Sequence, residues 1–150
     1  MHVADSPPPL TLREILDRLA PARSYWLATI GLSGAPHLAP VWGAVCEGAL
    51  HVYSERSTAK ARNLAGDDRV SINLEDAEDV LIVTGCLEDL GRPQDDAAVL
   101  EAFAAKYDRP DDRRYLPSDR AFDVLYRLVP ERALAWTLSD FDGSQRRWVG

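Results

Sequence analysis

Short segments alternating between apolar and polar residues follow one another too closely for helical crossovers, and that spacing demands antiparallel neighbours. Tyr25 to Ile30 reads as the first strand, and Gly31-Leu-Ser-Gly34 supplies the turn after it. A second strand covers His37 to Cys46, with Pro36 and Pro40 marking an edge, a bulge or a bend near its start. Glu47-Gly48 closes it, and Ala49 to Ser54 is the next hairpin arm. Further strands span Val70 to Leu74 and Val80 to Leu87. Later, Phe122, Val124, Tyr126 and Leu128 alternate, and Ala133 to Leu138 reads as their hairpin partner, with a last short strand near Trp148. At least six short strands and few helices favour a closed or nearly closed β-barrel over a doubly wound sheet.

The helices are short. Thr11 and Glu14 form a capping box, Leu10 and Ile15 occupy staple positions, and Leu12, Ile15, Leu16 and Leu19 make an apolar face that ends before Pro21. A brief helix around Ala59 to Ala65 stops at Gly66-Asp-Asp68, and a longer one runs from Asp95 to Tyr107. The segment Asp108 to Arg114 is a polar link in which Arg109, Arg113 and Arg114 balance Asp111-Asp112 at the surface. Residues 1–9, with their proline run, form a flexible lead-in without a signal-peptide pattern, so 10–150 is one domain. No stretch approaches a membrane span, and a cytoplasmic location is expected. Trp26 reads as a barrel core residue.

Charge narrows the function. A formal net charge of -7 argues against nucleic acid as a partner. Cys46 and Cys86, the two cysteines, match no zinc spacing and read as buried free thiols of a reducing compartment. His2 and His51 lack acidic companions, which leaves metal binding without support. No nucleophile elbow, P-loop or paired-carboxylate signature specifies hydrolysis, and no side chain stands out as catalytic.

Against that acidic background, Tyr53-Ser-Glu-Arg-Ser-Thr-Ala-Lys-Ala-Arg-Asn-Leu64 is a small basic, hydroxyl-rich helix start. A helix beginning at Ser57 or Thr58 presents free backbone N–H groups beside Lys60, a combination suited to phosphate. A lysine in a first helical turn opposes the dipole preference, so it either grips an external anion or simply faces solvent. The neighbouring Ser54, Ser57 and Thr58 hydroxyls weigh toward phosphate. Arg62 contacts a distal cofactor group or an acidic surface residue, Asn63 orients backbone or cofactor, and Leu64 anchors the helix. His37 is a cofactor contact or a structural histidine. Trp42 lines a planar-ligand cavity or a core, and Trp148, after Arg146-Arg147, is a lid or interface residue.

Tyr25-Trp-Leu-Ala-Thr29, Gly34-Ala-Pro-His-Leu-Ala-Pro-Val-Trp42 and Lys60-Ala-Arg-Asn-Leu64, with Ala135-Trp136 and Arg147-Trp148, resemble the pyridoxamine 5'-phosphate oxidase-like split-barrel superfamily. Within it they look most like the F420-using B branch of flavin/deazaflavin oxidoreductases. The resemblance implies a mainly β, FMN-binding-like split β-barrel with short helices. It also implies a homodimer with a cofactor groove between subunits, holding F420 or, alternatively, FMN. By that analogy Thr58 and Lys60, assisted by Ser57, hold phosphate, while His37, Pro40, Val41 and Trp42 pass beside the ring. The family often has Ser-Arg-Lys where this chain has Thr58-Ala59-Lys60, and Arg56 or Arg62 could compensate. The residue set of a true pyridoxamine phosphate oxidase is incomplete.

The implied function is hydride transfer between reduced F420 and a small conjugated organic substrate. The alternatives are an FMN-dependent oxidoreductase of the same group and a non-catalytic flavin- or heme-binding protein.

Overall fold

The computed structural model describes residues 6–150; His2 and the first part of the lead-in lie outside the described residues. Helix α1 (Leu12–Leu19) precedes β1 (Tyr25–Ile30), β2 (Pro36–Val41), β3 (Gly43–Cys46) and β4 (Ala49–Ser54). Helix α2 (Ala59–Gly66), β5 (Arg69–Asn73) and β6 (Asp79–Asp89) follow, then α3 (Ala97–Lys106), β7 (Val124–Thr137), α4 (Phe141–Ser144) and β8 (Arg146–Val149). The strands form one antiparallel sheet in the order β2-β1-β5-β6-β7-β4-β3, with β8 added to β7. The sheet curls into an open half-barrel, the mainly β split barrel expected from the sequence.

Alternation explains which face turns inward. Tyr25, Leu27 and Thr29 are buried on β1, as are Val70 and Ile72 on β5 and Val83 and Leu87 on β6. Ile15 and Leu19 of α1, each 1% exposed, close one end of this core. Each large side chain buried this fully stabilises the fold by about 1.5–3 kcal/mol. A second, smaller core lies on the far side of β3, β4 and β7, where Val99, Phe103 and Tyr107 of α3 pack on Ala44 and Leu125.

Several sequence expectations need correction. Val124 to Leu128 and Ala133 to Thr137 are one continuous strand, β7, pairing with β6 from Tyr126 to Thr137 rather than with each other, and Leu138 lies beyond it. The register slips where Gly85 meets Pro130 and Thr84 meets Arg132, leaving Glu131 as the extra residue of a bulge. Pro130 is tolerated at that irregularity, and a Cβ on Gly85 would lie 2.1 Å from the Val129 carbonyl oxygen. The strand expected over His37 to Cys46 is broken at Trp42 into β2 and β3. Trp26 faces outward, 39% exposed, because Tyr25 and Leu27 take the inward positions.

The capping box is half made. Thr11 Oγ accepts from the Glu14 amide, while the Glu14 carboxylate pairs with Arg146 at 2.7 Å. Asp112 is buried, not a surface group: Arg23 grips it with two nitrogens at 2.5 and 3.2 Å. That contact fixes the 3-10 turn Pro110–Tyr115 against the barrel. Both thiols are free and only half-buried. No described helix is long and apolar enough to cross a membrane.

Candidate functional site

The chain reverses from β4 into α2 through Glu55 to Thr58, and hydroxyls lock that turn. Thr58 is the N-cap: its Oγ1 accepts from the Ala61 amide at 3.3 Å and lies 2.9 Å from both Ser54 Oγ and the Glu55 carbonyl oxygen. Ser54 is buried, and its hydroxyl serves this turn. Ser57 is exposed beside it. Among the described residues, the first-turn amides of Ala59 and Lys60 have no acceptor.

Lys60 stands half-buried on that first turn, and no carboxylate forms an ion pair with it among the described residues. Burial pulls its pKa below the usual lysine value, opposed weakly by Glu55. It looks into a cavity of about 360 Å³ shared with Pro40, Val41 and Trp42 from the β2–β3 junction, Tyr53 at the end of β4, and Tyr115 and Phe122. The walls are aromatic: the Tyr53 and Phe122 rings meet edge to face at 4.9 Å, and Tyr115 meets Trp42 likewise at 6.0 Å. The Tyr53 hydroxyl donates to the Tyr115 carbonyl, tying the cavity wall to the segment after α3.

Beneath Trp42 lies a polar network that no motif announced. The Tyr107 ring stacks on Trp42 at 4.2 Å, nearly parallel, with the Arg23 guanidinium 5.0 Å from the Trp42 ring centre. Tyr107 Oη accepts from the Gly43 amide at 3.0 Å, and Lys106 Nζ donates to the Gly43 carbonyl at 2.5 Å and to Tyr25 Oη at 2.9 Å. Gly43 is required here, since a Cβ would meet Tyr25 Cε2 at 2.9 Å.

Pro40, Val41, Trp42 and Lys60 therefore share one cavity, with Ser54, Ser57 and Thr58 on the turn that presents Lys60. The other candidates sit apart. Asn63 is buried behind the helix, its amide donating to Thr29 Oγ1 at 3.1 Å. His37, paired with Thr29 across β1 and β2, keeps a buried Nδ1 without a hydrogen-bond partner among the described residues. Arg62 is exposed. Trp148 packs against the barrel core from β8, beside a different cavity with Arg132 and Arg147. Arg56 is bound twice to Asp89, at 2.8 and 3.1 Å. Sequence reasoning missed Tyr53, Tyr115 and Phe122 as wall residues: Tyr115 follows a polar stretch that gave no signal, and Phe122, read as part of a strand, lies just before β7.

A larger cleft of about 610 Å³ lies on the other flank of α2, but Asp68, Glu88 and Asp89 rim it and its Arg56 is neutralised. An anion is disfavoured there. The smaller cavity suits a planar ring carrying a phosphate: aromatic walls for the ring, and for the anion a cation and two amides without partners among the described residues.

A family model described as pyridoxamine 5'-phosphate oxidase matches residues 11–136. No curated protein matches the chain. Among solved structures, the chain is similar to a heme binding protein from Mycobacterium smegmatis, at 21% identity and TM-score 0.68 over 94% of this chain and 58% of that one. It thus spans little more than half the length of that relative. A conserved hypothetical protein from Mycobacterium tuberculosis is 28% identical, with TM-score 0.65 and 85% of each chain covered. A structure named F420 reductase is 24% identical, with TM-score 0.62 over 78% of this chain and 94% of that one. The named relatives share the fold and differ in what they handle, so they do not single out the F420-using branch that the motifs resemble.

Proposed function

The chain belongs to the pyridoxamine 5'-phosphate oxidase family, and on that premise we propose that it is an FMN-binding oxidoreductase acting on a small conjugated organic substrate. The observation that carries this reading is Lys60, a half-buried ammonium without an ion-pair partner among the described residues, at the mouth of an aromatic cavity. Lys60 and the amides of Ala59 and Lys60 hold the phosphate. Thr58 and Ser54 fix the turn that aims them, and Ser57 assists from the rim. Pro40, Val41 and Trp42 would lie along the ring. The bound flavin supplies two-electron redox chemistry. The residues of the chain would orient it and exclude water with Tyr53, Tyr115 and Phe122.

A second copy of this chain completes the groove in this reading. Trp26, Leu38, Leu134 and Val149, 39%, 59%, 40% and 74% exposed, form an outward apolar face that a homodimer covers. Two free thiols suit a reducing cytoplasm.

One observation favours F420 as a second reading. Position 59 is alanine, and Arg56 is committed to Asp89, so neither supplies a second cation to FMN phosphate. The exposed Arg62 remains for a longer acidic tail. Parallel titrations with FMN and F420 decide between them: the reading expects saturable FMN binding with quenched flavin fluorescence. Binding of F420 alone replaces FMN with F420, and binding of neither overturns the proposal.

A further inference from the structure

We propose that Lys106 is the positioning residue for Trp42: it holds the Gly43 carbonyl and the Tyr25 hydroxyl together, and so sets the wall of the cofactor cavity from the end of α3. The link to cofactor rests on the reading above; the positioning itself rests on geometry alone.

Lys106 ends α3, a long way in sequence from the cavity motifs. Its ammonium donates to Gly43 O at 2.5 Å and Tyr25 Oη at 2.9 Å, while Tyr25 Oη donates on to Leu19 O at 2.5 Å. Four elements (α1, β1, β3 and α3) therefore meet at one cation. Gly43 directly follows Trp42, at the break that separates β2 from β3. Fixing the Gly43 peptide through both its carbonyl and its amide fixes the backbone from which Trp42 projects. Tyr107, the next residue after Lys106, then clamps the indole by stacking. The ammonium also lies 5.0 and 5.2 Å from the Tyr25 and Tyr107 ring centres, an arrangement that favours the charged form.

The charged and titratable groups around it are Tyr25 on β1, Tyr107 beside it, and Arg23, whose partner Asp112 comes from the following turn. Asp108 adds a carboxylate near Arg23. Burial, and then the Arg23 charge, bring the Lys106 pKa down to about 8. The clamp therefore changes character near neutrality: below that point the two hydrogen bonds are charge-assisted, and above it they are those of a neutral amine.

The test follows the Trp42 indole N–H resonance of isotope-labelled protein without cofactor, assigned by its loss in Trp42→Phe, from about pH 6.5 to about pH 9.5. The wild-type resonance is expected to move in a step centred near 8. Lys106→Met abolishes the step. Lys106→Arg abolishes it while keeping the low-pH position, and Lys60→Ala retains it. Tyr25→Phe removes one acceptor of the ammonium and moves the step to lower pH.

In FMN titrations, Lys106→Met is expected to bind roughly three- to tenfold more weakly and Lys106→Arg to recover most of that loss. A Trp42 resonance left in place by Lys106→Met at low pH, a step that survives Lys106→Met, or one unmoved in Tyr25→Phe overturns the positioning role. A Lys106-dependent step in a protein that binds no FMN removes the cofactor reading and leaves the clamp standing.

Discussion

Replacing Lys60 by Met is expected to move two quantities in opposite directions. The side chain is half-buried, lacks an ion-pair partner among the described residues, and has its pKa lowered by burial. In the free protein its charge is therefore a cost. Met keeps the apolar stem that lines the cavity and removes the partly desolvated charge. Solvent still screens half of the group, so the gain is modest: about 0.5–1 kcal/mol in urea unfolding at neutral pH. The FMN complex behaves oppositely. A charge-assisted contact to phosphate is worth about 1–3 kcal/mol, so affinity falls roughly 5- to 150-fold. The pH dependence has a defined sign. The unfolded chain holds the Lys60 proton more tightly than the folded one, so wild-type stability rises as pH climbs from the folded pKa toward 10.5, and this contribution is absent in the variant. A variant that is less stable than wild type without cofactor, or that binds FMN with unchanged affinity, refutes the reasoning.

Other perturbations test the framework. Gly85→Ala places a Cβ 2.1 Å from the Val129 carbonyl oxygen and should cost more than about 2 kcal/mol in chemical denaturation; a neutral result removes the bulge from the account of β7. Asn63→Ala strands the buried Thr29 hydroxyl and should destabilise by about 1–3 kcal/mol in urea unfolding, with an unchanged midpoint contradicting the assignment. Lys106, with its pKa near 8 in the fold, should make stability rise between about pH 8 and its unfolded value, and Lys106→Met should flatten that slope in denaturation series.

The barrel was legible wherever one face of a strand is buried, because inward residues such as Tyr25 and Leu27 then repeat every second position. The strand β7 was misread because Pro130-Glu-Arg132 looks like a turn. Only the β6 partner reveals that the bulge at Gly85 accommodates a proline without losing the strand. The helix-start motif pointed to Lys60 through its local chemistry, and Pro40 to Trp42 through the resemblance of their segment to the split-barrel family. The clamp beneath Trp42 left no local signal. Arg23, Gly43 and the segment from Lys106 to Asp112 are far apart in sequence, and Asp112 sits among arginines that offered it nearer and incorrect partners. Partnering across the sheet was decided by tertiary contact, which no short window records.

The most direct test of a phosphate-gripping cation compares FMN with riboflavin, which carries the same ring without the phosphate, in wild type and Lys60→Met by fluorescence titration. Wild type should prefer FMN by roughly tenfold or more, and the variant should bind both with similar, weak affinity. Equal binding of the two flavins by wild type, or an FMN preference that survives the loss of Lys60, contradicts it.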